Sequence, residues 1–430
     1  MKHLTYPKYN ENVYFKELDN GLKVYLIPKM EYNKTFVTFT TNYGSFDTSF
    51  IPRGKDRRVN QPAGIAHFLE HKLFAMPDGT DAFEKLSSYG VNANAFTSFD
   101  RTSYLFSGTS NIKEALVYLL DFVQTPYFTP KSVKKEQGII IEEYQMYEDN
   151  PDGKIFYGLL ENMYQKHPLN TTVLGTIPSI KKITAKKLYE AYDTFYHPSN
   201  MILTVIGSFN KDEILEVITK NQNSKAYVKE PPIERFLKKE PNKLAIKERT
   251  LYMSVNMPYI GIGVKLTPSD DFASLYKQHL ALDLVLNIYL STSGDVYNNL
   301  LKKGIINKTF GFDVSYQKGA FGILMSCMTN KDEEFINEIT KSLVGLKRRN
   351  INIEAFERQK KVMQGNFIKS LNSLENYNVT FTAHVLEGIN MFDIPNIIAS
   401  ITLEDVKAVI KEIKTSNVTT LKIYPKKDKN

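Results

Sequence analysis

At 430 residues, 42% apolar and 24% charged, the chain is too long for one ordinary hydrophobic core and points to two soluble globular domains of roughly 200 residues each. Its longest apolar runs, such as MILTVIG at 201–207, fall far short of the roughly 20 residues of a membrane span; the polar start MKHLTYPKYNENVYF lacks a secretory hydrophobic region, and Cys327 alone allows no internal disulfide, so the cytoplasm is the expected compartment. The net charge of +8 comes from lysines spread along the chain, with short clusters at 181–187 (KKITAKK) and 426–429 (KKDK) that read as a solvated helix face and a tail, which argues against nucleic-acid binding.

Period-two apolar runs at 22–28 and 35–44 read as two strands. A helical pattern follows at about 62–76, with Pro62 suited to its first turn, and another at about 81–89. The stretches 91–99 and 102–109 predict a strand pair around Asp100 and Arg101. Helices are then expected at about 111–124, 130–148 and 153–166, the second with Thr129 as its N-cap and Pro130 in its first turn. A helix at 185–196 and a strand at 200–207 close the first half.

The second half repeats this order. TAKKLYEAYDTFYHPSNMILTVIG (184–207) parallels TLEDVKAVIKEIKTSNVTTLKIYP (402–425): a threonine cap, a helix, Ser-Asn, then an alternating strand. TPKSVKKEQGIIIEE (129–143) likewise has a helical counterpart in INIEAFERQKKVMQGN (351–366). The expected architecture is α+β, with two homologous domains at 1–222 and 244–430, each a mostly antiparallel sheet flanked by helices. The polar, proline-containing stretch 223–243 is the expected linker.

The segment GIAHFLEHKLF (64–74) carries the chemistry. On a helix His67 and His71 project from one face about a turn apart, a spacing that lets two imidazoles share one metal ion. Glu70 sits to one side, within reach of a water on that ion and badly placed as a ligand, so its predicted role is general base. The bland alternative is a helix whose histidines are ordinary core or surface groups. Two ligands leave a catalytic zinc site incomplete, since three plus water is the usual set. The helix at 133–152 offers Glu136, Glu142, Glu143 and Glu148; Glu136 and Glu143, seven apart, share a face, while periodicity alone leaves Glu142 and Glu143 both open.

HFLEH followed some seventy residues later by GIIIEEYQMYEDNPD, together with GVNANAFTSFDRTSYLF, resembles the inverted-motif zinc peptidases: the insulinase, pitrilysin and mitochondrial processing peptidase family, in its small bacterial two-domain form. The resemblance spans nearly the whole chain, with the motif in the first half only. It implies a zinc-dependent endopeptidase acting on short or unfolded peptides. His67, His71 and Glu143 would then be the Zn2+ ligands and Glu70 the base, with Glu136 supporting activity from outside the ligand set. Asn94 and Ala95 would lie on an edge strand that receives the peptide substrate by main-chain hydrogen bonds.

One part of the family pattern is missing. Relatives carry an arginine and, seven positions on, a tyrosine in the second half. Aligned with Gly304 on the family glycine, these positions fall on Leu300 and Asn307, and neither Tyr297 nor Tyr316 has an arginine at the right spacing. The resemblance therefore implies the metal-bearing subunit of a heterodimer whose homologous partner supplies the missing groups, or a homodimer with weakened activity. The rival expectation is a peptide-binding or assembly subunit that cleaves nothing. His3, His167, His197, His279 and His384 read as structural or solvated, and Cys327 as core.

Overall fold

A computed structural model describes residues 1–426, so the basic cluster at 426–429 falls, beyond Lys426, outside the described residues. The strands in chain order are β1 (Lys2–Tyr6), β2 (Glu11–Glu17), β3 (Lys23–Pro28), β4 (Thr35–Thr41), the two-residue β5 (Ser49–Phe50) and β6 (Val59–Asn60), β7 (Asn92–Thr97), β8 (Thr102–Gly108), β9 (Met201–Gly207), β10 (Glu248–Met253), β11 (Tyr259–Leu266), β12 (Gly311–Gln317), β13 (Ala320–Met328) and β14 (Val418–Pro425). One sheet runs β1-β2-β3-β9-β4-β8-β7, the other β10-β14-β11-β13-β12, and β5 pairs with β6.

Five strands of the first sheet, β3-β9-β4-β8-β7, have the order and senses of the whole second sheet. In each there is one parallel pair, β3 with β9 and β10 with β14, and the other neighbours are antiparallel. The repeat read from the sequence is this shared core. Thr184 caps the helix Ala185–Phe195 through Lys187 N–H, and Thr402 caps Leu403–Lys411 through Asp405 N–H. Each helix leads through a one-turn 3-10 segment, Pro198–Asn200 or Thr415–Asn417, into the strand that completes its sheet. The hairpin β1–β2 is an addition that periodicity did not announce, because β1 is largely exposed and carries no clean apolar alternation.

The chain forms two compact units, and neither is contiguous. Unit one holds 1–144, 172–237 and 370–392; unit two holds 145–171, 238–369 and 393–430. These limits depart from the expected 1–222 and 244–430, because each half contributes a helix to the other half's unit. The helix Pro151–Met163 packs on β11 and β14. Glycines admit it: a Cβ at Gly263 would stand 2.9 Å from Met163 Sδ, and one at Gly322 2.5 Å from Met163 Cε. The helix Leu374–Leu386 covers β4 and β9 through buried polar contacts: Thr38 Oγ1 donates to Asn378 Oδ1 at 2.6 Å, and Asn378 Nδ2 donates to Thr204 O at 3.0 Å. The expected linker is tied down along its length. Arg235 bonds Asn42 O and Asn200 Oδ1 in unit one, while Glu240 accepts from the backbone amides of Gln165, Lys166 and His167 and from Lys265 in unit two. Among the described residues no helix is long and apolar enough to cross a membrane.

Candidate metal centre

The motif helix, Ile65–Leu73, begins at Gly64 rather than at Pro62. Gly64 adopts φ +90°, and a Cβ there would lie 2.1 Å from the carbonyl oxygen of Leu174, so only glycine suits this entry. Ile65, Phe68, Leu69 and Leu73 enter the core, which fixes the rotation of the helix and turns His67, Glu70 and His71 toward β7 and the acidic helix Pro130–Glu148. That second helix starts as predicted, with Ser132 N–H donating to Thr129 Oγ1 at 3.1 Å. Val133, Gln137 and Ile140 form its buried stripe, and Gln137 Nε2 donates to Ile183 O at 2.9 Å. Glu136 and Glu143 lie beside that stripe, while Glu142 is exposed and Glu148 pairs with Lys154.

Glu143 Oε2 lies 3.5 Å from His71 Nε2 and 3.7 Å from His67 Nε2. One ligand atom from each of the three residues falls within 4.8 Å of the others, the only such grouping of three or more among the described residues. Tetrahedral zinc with bonds of about 2.0–2.1 Å separates its ligand atoms by about 3.3 Å. The two separations from Glu143 to the imidazoles, 3.5 and 3.7 Å, are close to that spacing. Glu143 Oε2 is buried without a hydrogen-bond partner, a costly state for a carboxylate oxygen facing two imidazole nitrogens unless a cation joins them. The donor set of two nitrogens and one oxygen suits zinc.

The electrostatics favour a neutral His67 and a protonated His71 in a crowded acidic site. Burial, aided by the charge of His71, pushes His67 down to about 3. Burial pulls His71 the same way but is outweighed by the hydrogen bond it gives to Glu136 and the charges of Glu70, Glu143 and Glu136, which leave it raised. Burial raises Glu143, with Glu136 adding to the effect and His71 opposing it. Glu136 is held low: the cost of its burial is exceeded by the His71 hydrogen bond and the charges of His71 and Lys72. Burial raises Glu70 against the hydrogen bond of Thr97.

Glu136 Oε1 lies 3.1 Å from His71 Nδ1, an arrangement in which Nδ1–H donates and Nε2 is left facing Glu143. Two further residues enter that carried no role in the sequence reading. Lys72, 3% exposed, places Nζ 3.7 Å from Glu136 Oε2, and Thr97 Oγ1 donates to Glu70 Oε2 at 2.6 Å. Lysine beside the motif and threonine in NANAFT were visible as letters; their partners belong to other elements. Asn94 and Ala95 lie on β7, the terminal strand of its sheet, where Ala95 N–H donates to Asn94 Oδ1 at 2.8 Å. In the second unit Leu300 is 1% exposed in core. Asn307 is committed to the end of β13, donating to Met328 O at 2.7 Å, and Tyr316 stacks on His279 with ring centroids 4.0 Å apart.

Comparison with known proteins agrees with this arrangement. Residues 56–177 match the family model described as Insulinase (Peptidase family M16), and residues 182–363 match Peptidase M16 inactive domain. The chain is 42% identical over 428 residues to the "Uncharacterized zinc protease YmfH" of Bacillus subtilis (strain 168), covering 99% of this chain and 100% of that one. A solved M16-like peptidase structure from Alicyclobacillus acidocaldarius superposes with a TM-score of 0.92 at 33% identity, over 98% of this chain and 100% of the other. A shorter similarity, 30% over 172 residues, joins 39% of this chain to 35% of the mitochondrial-processing peptidase subunit beta of Bos taurus. With its duplicated α+β units and, in the first, a His-His-Glu cluster fit for zinc, the chain belongs to the insulinase family of zinc metalloendopeptidases, peptidase family M16.

Proposed function

We propose that this zinc peptidase is the catalytic subunit of a two-subunit enzyme that cleaves short or unfolded peptides, with His67, His71 and Glu143 as the zinc ligands and Glu70 as the general base. The observation that carries the reading is the unpartnered Glu143 Oε2 facing both imidazoles, with the Glu70 carboxylate to one side and near enough to feel the charges of His71 and Glu143. Zinc held there would polarise a peptide carbonyl and lower the pKa of a water toward about 7.

The remaining work falls to the chain's own groups. A peptide laid along the outer edge of β7 would be received by the main chain around Asn94 and Ala95, as an added strand. Glu70 takes the proton that the attacking water releases as oxygen bonds to the carbonyl carbon. When the C–N bond breaks, Glu70 returns that proton to the departing amine. Glu136 orients His71 from outside the ligand set. The two-subunit reading is supported by Leu300 and Asn307 standing where relatives carry arginine and tyrosine, and by similarity to a protein named as a subunit. A reducing, cytoplasmic setting suits a chain whose single cysteine is buried.

The test compares wild type with Glu70→Gln and His71→Ala, purified with any companion chain, for bound metal and for hydrolysis of an unstructured peptide. Glu70→Gln should keep zinc and lose activity by roughly 10²- to 10⁴-fold, whereas His71→Ala should lose zinc. A fully active Glu70→Gln protein refutes the base assignment. Wild type that binds zinc yet cleaves nothing, alone or with its companion, favours the non-cleaving assembly subunit.

A further inference from the structure

Thr97 stands at the last pair of the β7–β8 ladder, directly opposite Thr102. Its hydroxyl is 2.6 Å from Glu70 Oε2 and 3.3 Å from Thr102 Oγ1. Thr102, fully buried, has already committed its proton to Tyr43 O at 2.9 Å. Thr102 therefore has no proton for Thr97, and the single proton of Thr97 is directed at the Glu70 carboxylate, the nearer and charged acceptor. One oxygen of Glu70 is thereby tied to β7, and the other, Oε1, is left for proton transfer.

We propose that Thr97 is a positioning residue that fixes the general base in the frame of the strand on which the peptide lies. The proposal rests on the reading of Glu70 as base and β7 as the receiving edge. Its physical content is that base and substrate share one rigid reference. A peptide added to β7 has its register set by that strand's main chain, and the same strand sets the position of Glu70 through a side chain anchored at the end of the ladder. Without the hydroxyl, Glu70 keeps its place in sequence but can rotate about χ2 and χ3, so its proton-accepting oxygen spends less time where the attacking water must be. The loss should fall on turnover rather than on substrate affinity, since the β7 backbone is unchanged.

Wild type, Thr97→Val and Thr97→Ser, each as the full chain with any companion that co-purifies, are compared for bound zinc, kcat and KM on an internally quenched unfolded peptide. Valine keeps the shape and β-branching and removes the hydroxyl; serine keeps the hydroxyl. Thr97→Val should hold zinc and keep KM within about twofold while kcat falls on the order of 10- to 100-fold, and Thr97→Ser should stay within about threefold of wild type. Unchanged kcat in Thr97→Val, loss of its zinc, or equal damage in Thr97→Ser would overturn the positioning role, while cleavage by wild type leaves the peptidase reading standing. An inert wild type sinks both.

Discussion

His71 uses both ring nitrogens. Nδ1 is held by Glu136 Oε1 at 3.1 Å, Nε2 faces Glu143 Oε2 at 3.5 Å, and Lys72 balances the far oxygen of Glu136 from a nearly closed pocket. An imidazole fixed in this tautomer meets a cation without first reorganising, and a carboxylate partner raises its basicity. Replacing Glu136 by glutamine keeps the shape and removes the charge. Zinc affinity of Glu136→Gln, measured by chelator competition, should fall roughly 10- to 100-fold with the fold intact. Unaltered affinity would mean that Glu136 does not orient His71. At this scale the motif spacing made the two histidines and Glu70 legible. Lys72 and Thr97 were not, because their partners are 64 positions away for Lys72 and Glu136, and 27 for Thr97 and Glu70, on elements whose meeting depends on packing.

Two helices and a strand end make the site, and each is placed by something other than its functional residues. The motif helix is started by Gly64 at φ +90° against the Leu174 carbonyl, and its apolar residues set its rotation. The acidic helix is seated by Val133, Gln137 and Ile140. The choice between Glu142 and Glu143 follows from that seating: the two differ by about 100° around the axis, and only the side that carries Val133 and Ile140 inward determines which one reaches the histidines. Gly64→Ala introduces both a left-handed alanine and a contact with backbone that cannot yield. It should cost more than about 1 kcal/mol, lower the thermal midpoint and reduce zinc stoichiometry, because the helix start must shift. Differential scanning fluorimetry with metal analysis reads both effects; an unperturbed midpoint would show that the entry is more tolerant than its geometry suggests.

The molecule as a whole is a duplicated α+β chain whose compact units exchange one helix segment each. Residues 370–392 are part of the first unit and 145–171 of the second, so a cut at the sequence boundary uncovers on each sheet a face that the intact chain buries. Fragments 1–222 and 244–430 expressed separately should aggregate or fail to show cooperative unfolding, while their co-expression should restore soluble material. A separately soluble, cooperatively folded 1–222 fragment would contradict this account.

The linear chain by itself determined what depends on local spacing: strands from period-two runs, capped helices at 130–148 and 185–196, the duplication of cap, helix and strand, and the two histidines with Glu70 on one helix face. These need only backbone geometry and a few neighbours. Periodicity left Glu142 and Glu143 open and the family resemblance named Glu143; the tertiary structure sets its carboxylate beside both imidazoles, and it alone decided what holds Glu70 and Glu136 in place and which sheet the helices 151–163 and 374–386 cover. An apolar stripe states that a helix must be buried, but the partner that buries it is chosen by complementarity of shape and polar groups between segments far apart in sequence.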